Sequence, residues 1–122
     1  MKTNPVDFEI SFYVGVVRQK PNYVEALIPL AEAYTRKGFH QKGLAIDRRL
    51  AKLCKDDPVI HYNLACSLAL VGKKPESLAA LRTAIHLGYS DFEHMRHDAD
   101  LQSLAGDPEF QKLLRGRKGL LR

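Results

Sequence analysis

Two stretches decide the fold: Val24-Glu-Ala-Leu-Ile-Pro-Leu-Ala-Glu-Ala-Tyr34-Thr-Arg-Lys-Gly38 and Pro58-Val-Ile-His-Tyr-Asn-Leu-Ala-Cys-Ser-Leu68-Ala-Leu-Val-Gly72. Leu30-Ala31 recurs as Leu64-Ala65, Tyr34 as Leu68 and Gly38 as Gly72, each thirty-four positions on. Leu27, Leu30, Ala31 and Tyr34 stand at i, i+3, i+4 and i+7, one stripe of a helix, and His61, Leu64, Ala65 and Leu68 repeat it. Gly38 and Gly72 follow the last periodic residues, where a left-handed position ends a helix without steric cost.

Outward from these stretches, a second helix is expected in each unit. One runs from about Gln41 to Cys54 with Leu44, Leu50 and Leu53 apolar, the other from Pro75 to Leu87 with Leu78, Leu81, Ala84, Ile85 and Leu87 apolar. Ala31, Gly43, Ala65, Ser77 and Ala84 are small where paired helices need close backbone approach. Asn22 and Asp57 are candidate caps, and Pro58 and Pro75 suit first helical turns. Pro29 stands inside the first helix and removes the bond its amide would donate toward Glu25.

The pattern Leu-Ala-x-x-Tyr…Gly resembles tetratricopeptide repeats over residues 24–89, with Pro21-Asn22 standing where a preceding unit would end. Asp47 and Leu50 depart from it, where that family favours an aromatic and an alanine. The run from Gly88 through Tyr89, Phe92, Met95, Asp98, Leu101, Leu104, Asp107-Pro108 and Phe110 to Leu113-Leu114 is similar to the end-of-group segment that closes many bacterial arrays. Such a segment covers the last bare apolar face with Met95, Leu101, Leu104, Phe110, Leu113 and Leu114, and Asp91, Asp98 and Asp107 are its candidate caps. The resemblance implies an all-α fold of helix-turn-helix repeats stacked as a short right-handed α-solenoid. On that reading residues 1–5 are an N-terminal extension and 6–114 a single helical domain, with an N-terminal helix at 6–20, repeats at 24–57 and 58–89 and a closing segment at 90–114. Residues 115–122 are a basic tail.

Residues 6–17 alternate Val6, Phe8, Ile10, Phe12, Val14 and Val16 with mostly polar or small residues, a strand-like period. No second strand candidate exists to pair with, so a helix ending before Pro21 is expected instead.

Composition and charge exclude several classes. With 122 residues, 45% hydrophobic and 27% charged, the chain fits one globular domain. No apolar stretch approaches membrane-spanning length, and Asp7 and Glu9 interrupt any leader-like run, so a cytoplasmic, non-membrane protein is expected. Cys54 and Cys66 form no framework, which fits a reducing compartment. The net charge of +5 resides in Lys112, Arg115, Arg117, Lys118 and Arg122, leaving residues 1–111 formally neutral. His94 and His97 with Asp91, Asp98 and Asp100 are the densest ligand-like cluster, but helix capping explains them more simply than a metal. Cys66 and His61 stand at i, i+5 and share no helix face. There is also no phosphate loop and no H-E-x-x-H. A non-enzyme without cofactor or metal is expected.

What remains is binding. The resemblance implies a concave groove holding an unidentified protein or peptide, with Glu25, Ile28, Glu32, Thr35 and Arg36 from one helix and Val59, Tyr62, Asn63, Cys66 and Leu70 from the next. Asn63 stands out because an amide both donates to and accepts from a ligand backbone. Its counterpart is Pro29, so the family's asparagine ladder is broken, and the lysine-rich carboxylate clamp is absent. A second reading is a homodimeric, self-assembling subunit. The N-terminal helix is apolar nearly all round, with Tyr13 and Val17 expected inward and Ile10 and Val14 outward as a two-fold contact. Nucleic-acid binding through the tail and Lys42, Arg48, Arg49, Lys52 and Lys55 is the weakest class, since no aromatics alternate with the charges.

Overall fold

The computed structural model describes residues 4–120, with side chains as far as Arg115. It is all-α, with no strand among the described residues. The helices are α1 (Pro5–Gln19), α2 (Val24–Lys37), α3 (His40–Leu53), α4 (Pro58–Leu70), α5 (Lys74–His86) and α6 (Phe92–His97), then a 3-10 helix (Ala99–Leu104) and α7 (Pro108–Leu120). The chain divides into two compact units, Met1–Lys55 and Asp56–Arg122.

In the first unit α2 packs against both α1 and α3. Its buried residues Ala26, Leu27, Leu30, Ala31 and Ala33 occupy two sides of the helix, one for each neighbour. Residues 5–19 are helical despite their strand-like alternation. A lone strand would leave its backbone groups unpaired, whereas the helix pairs its own. Asn4 accepts from the Val6 amide to cap α1, and Pro5 stands in the first turn. Residues 1–3 of the expected extension lie outside the described residues.

In the second unit α4 packs on α5, the 3-10 helix packs on α4, and α7 on α5 and α6. Leu68, Leu81, Met95, Leu101 and Leu104 are its most deeply buried large side chains, joined by Phe110 and Leu114. The closing residues therefore cover the α4–α5 hairpin as their apolar spacing suggests.

Each hairpin turns on a glycine. Gly38 has φ +87° and Gly72 φ +83°, left-handed conformations in which a side chain costs about 1–2 kcal/mol. The next residue closes the turn, Phe39 N–H donating to the Tyr34 carbonyl and Lys73 N–H to that of Leu68. Where the returning helix crosses the first, the units use different small residues at equivalent positions. Gly43 sits with its Cα side against the Ala31 carbonyl and Thr35, whose hydroxyl donates to that carbonyl at 3.1 Å. Ser77 is fully buried and donates its hydroxyl to the Ala65 carbonyl at 2.7 Å.

The caps follow suit. Asp57 accepts from the Val59 and Ile60 amides, Asp91 from His94, Asp98 from Asp100 and Asp107 from Glu109. Asn22 does not cap α2; Tyr23 occupies that position and makes no side-chain cap bond. Pro29 is accommodated within α2, half-buried. Leu53, expected in the core, is exposed, while Ile46 and Asp47 are buried instead.

The two kinds of glycine separate in a urea denaturation series. Gly38→Ala is expected to lose about 1–2 kcal/mol, all of it backbone strain because nothing lies within 4 Å of the added methyl. Gly43→Ala should be neutral or gain up to ~1 kcal/mol, since helix propensity favours alanine and the nearest atom, Thr35 Oγ1 at 3.4 Å, is an ordinary contact.

Candidate functional site

The residues expected to line a groove fall on α2 in the first unit and α4 in the second. On α2, Glu25 and Glu32 are exposed, and Ile28 and Thr35 half-buried, along the edge that α1 and α3 leave open. Thr35 spends its hydroxyl on its own helix. Arg36 pairs with Glu9 of α1, and Lys37 lies 2.9 Å from Asp7. Glu25 and Glu32, by contrast, form no ion pair or side-chain hydrogen bond among the described residues. They stand seven residues apart, about 10 Å along the axis, with Ile28 between them.

On α4 the expected set is split. Val59 is 54% exposed, and Asn63 and Leu70 are half-buried. Tyr62 and Cys66, though, are only 4% and 7% exposed, so they do not line an open surface. The 3-10 helix lies over them, and Asp98 at its start is the reason. Tyr62 donates its hydroxyl to Asp98 Oδ2 at 2.6 Å, and the Cys66 sulfur lies 3.7 Å from the same oxygen. Asp98 Oδ1 meanwhile accepts from the Asp100 amide at 3.0 Å. The Tyr62 ring stacks on Tyr89, with centroids 4.2 Å apart and planes 2° from parallel.

Burial, with the nearby Cys66 and Asp98 charges, pushes the Tyr62 hydroxyl far above the ordinary tyrosine range. Burial first, then Asp98 and Asp100, pushes the Cys66 thiol far up as well. Both groups stay protonated at neutral pH, so Cys66 is no thiolate nucleophile there.

Cys66, Asp98 and Asp100 bring donor atoms within 4.8 Å of one another, a grouping with the composition of a metal site. Its central carboxylate already serves Tyr62, the Asp100 amide and His94 Nε2 at 3.2 Å, and its thiol holds its proton. This is the chemistry of a hydrogen-bonded staple fastening the closing segment to α4. The two histidines diverge rather than converge: His94 turns to Asp98, and His97 to Glu93 at 2.9 Å.

On α1, Ile10 and Val14 are the residues expected to face outward. Both are partly covered, as are Tyr13 and Val17, and the outward apolar side chains are Phe8 at 64% and Phe12 at 56% exposure. Asp7 and Glu9 reach to the end of α2, where they pair with Lys37 and Arg36. Beside Phe12 lies a cleft of about 360 Å³ lined by Phe12, Gly15, Val16, Gln19, Lys20 and Tyr23.

Two of the basic residues of α3 are drawn into local contacts. Lys42 lies over the Phe39 and Tyr34 rings at 5.2 and 5.9 Å, and Arg49 donates to the Pro21 carbonyl. The helix α7 continues to Leu120, past the expected start of the tail at 115. The side chains of Arg117, Lys118 and Arg122 lie outside the described residues. No described helix is long and apolar enough to cross a membrane.

No protein-family model matches the chain. Among curated proteins, a chloroplastic protein of Arabidopsis thaliana is 37% identical over 57 residues, which amount to 47% of this chain and 17% of that protein. The chain thus spans a small part of that relative's length.

Two outcomes follow from the staple. Asp98→Ala removes an ionised acceptor and a cap together, so urea denaturation should show a loss of about 3 kcal/mol, with Tyr62→Phe costing about 1 kcal/mol. The alkaline limb carries the second. Tyr62 and Cys66 titrate higher folded than at their ordinary values of 10.0 and 9.0, so their contribution is intact below about pH 9 and declines as pH rises through those values. The urea midpoint should fall between about pH 9 and pH 11, and less steeply in Tyr62→Phe.

Proposed function

We propose that this protein is a non-catalytic binding module of the tetratricopeptide class that holds a segment of another protein along the open edge of α2. One observation carries the reading. Of the acidic residues in the first unit, Asp7 and Glu9 are ion-paired and Asp47 is buried, while Glu25 and Glu32 stand exposed, with no ion pair among the described residues, on either side of Ile28. Two carboxylates about 10 Å apart with an apolar side chain between them suit a segment bearing two lysines or arginines around an aliphatic residue.

The thirty-four-residue period, the left-handed glycines at Gly38 and Gly72, and the closing residues over α4 support the class. Asn63 and Val59 on α4 are a further accessible pair, an amide beside an apolar side chain, consistent with peptide contact in the second unit. The buried, protonated Cys66 and the divergent histidines favour binding over catalysis.

Fluorescence anisotropy with synthetic peptides tests the α2 edge, using one series with two lysines around leucine at varied spacing and a matched series with glutamates. The lysine series should bind in the micromolar range and weaken with salt. In Glu25→Lys/Glu32→Lys the affinity for it should fall roughly tenfold, as expected for two partly exposed ion pairs, while the glutamate series gains. Lysine peptides that bind the double variant as well as the wild type, or none that binds below about 1 mM, would sink the reading.

A further inference from the structure

Phe8, Phe12, Gly15 and Gln19 recur at i, i+4, i+7 and i+11, a single face of α1 opposite the one carrying Tyr13 and Val17. Phe8 is the most exposed large apolar side chain among the described residues, at 64%. One to three turns further along the same face lies the cleft of about 360 Å³ lined by Phe12, Gly15, Val16, Gln19, Lys20 and Tyr23. Its volume is at the lower end of the range for small-molecule pockets, with room for an aromatic side chain. Gly15 leaves its floor open, since a Cβ there meets nothing within 4 Å.

One helix face therefore bears an unburied aromatic knob toward its N-terminus and an unfilled recess toward its C-terminus. We propose that a second copy of this chain covers it: two α1 helices lie antiparallel about a two-fold axis near Phe12, and each Phe8 enters the other's cleft. Knob and recess are about nine residues, or ~13 Å, apart on one rod, so a single rotation satisfies both at once, which is the isologous condition.

Charge is compatible with the same arrangement. Asp7 and Glu9 stand in the first half of α1, and Arg18 and Lys20 at its end. Antiparallel pairing sets each acidic end beside the other copy's basic end and opposes the helix dipoles. Arg36 and Lys37 already offset Glu9 and Asp7, so this end receives the partner's Arg18 and Lys20 without like-charge repulsion rather than with a free negative charge. The surface is separate from the α2 edge, and its test does not depend on peptide binding.

One helix per copy buries less than the ~800 Å² per partner of a standard interface, so a micromolar dimer is expected. Sedimentation equilibrium of the full chain up to about 200 µM should show a monomer–dimer equilibrium. Phe8→Asp should weaken it by roughly tenfold or more with the helical circular dichroism unchanged, because Phe8 is exposed. Gly15→Leu, which fills the recess from within, should do the same, whereas Phe39→Asp, an exposed residue at the α2–α3 turn, should not. A wild type that stays monomeric at about 200 µM overturns the proposal and passes the face to a different polypeptide. A dimer that Phe8→Asp leaves intact, or that Phe39→Asp weakens equally, overturns it too.

Discussion

Everything in this protein depends on how closely a returning helix approaches the one before it. The reversal at Gly38 or Gly72 brings the second helix back within contact of the first, and the crossing is occupied by a small residue in each unit. Gly43 and Ser77 meet that constraint differently. The first omits the side chain and lets Thr35 bond the Ala31 carbonyl from its own helix. The second keeps a hydroxyl and uses it on the equivalent Ala65 carbonyl, which ties the two helices by a buried hydrogen bond. A side chain well beyond the size of serine at either position would push the helices apart and unseat Leu27 and Leu30 in one unit or Leu68 and Leu81 in the other, all at 2% exposure or less.

What the residues revealed in advance was whatever is written locally. Left-handed glycines, proline first turns and aspartate caps act within four positions, and Asp57, Asp91, Asp98 and Asp107 all cap as their spacing suggests. The helix at residues 5–19 was legible by a different route, the want of any partner strand. The candidate site was legible only in part. Tyr62 and Cys66 share a helix stripe with Val59 and Asn63, and nothing within that helix says which members a later segment will cover. Their burial comes from Asp98, thirty-six and thirty-two residues on. The orientation of α1 was hidden for a related reason. On a helix apolar nearly all round, the wheel does not choose which arc meets α2; the fit against α2 decides it, and the pairs Asp7–Lys37 and Glu9–Arg36 form beside that contact.

The two open surfaces of the first unit are products of one packing choice. Because α2 is held between α1 and α3, it has only an edge to offer, and that edge carries the two exposed glutamates. Because α1 packs chiefly on α2, it presents a face to solvent, and the most exposed side chains of that face are Phe8 and Phe12. A charged edge gives salt-sensitive, directional contact, while an aromatic face gives burial. The two would therefore respond oppositely to ionic strength, so they are suited to different occupants at the same time.

The staple at Asp98 also has a bearing on the order in which the chain acquires structure as it leaves the ribosome. The first unit is built from neighbours in sequence, α1 on α2 and α2 on α3, and needs nothing later than Leu53 to complete those contacts. The second is not. Tyr62 has its acceptor in a residue translated thirty-six positions afterward, and α4 has its cover in the 3-10 helix. During synthesis the α4–α5 hairpin therefore emerges with a phenol, a thiol and the apolar residues that the 3-10 helix later covers still exposed to water. Nascent second units stay open along α4 until the 3-10 helix has also cleared the ribosome.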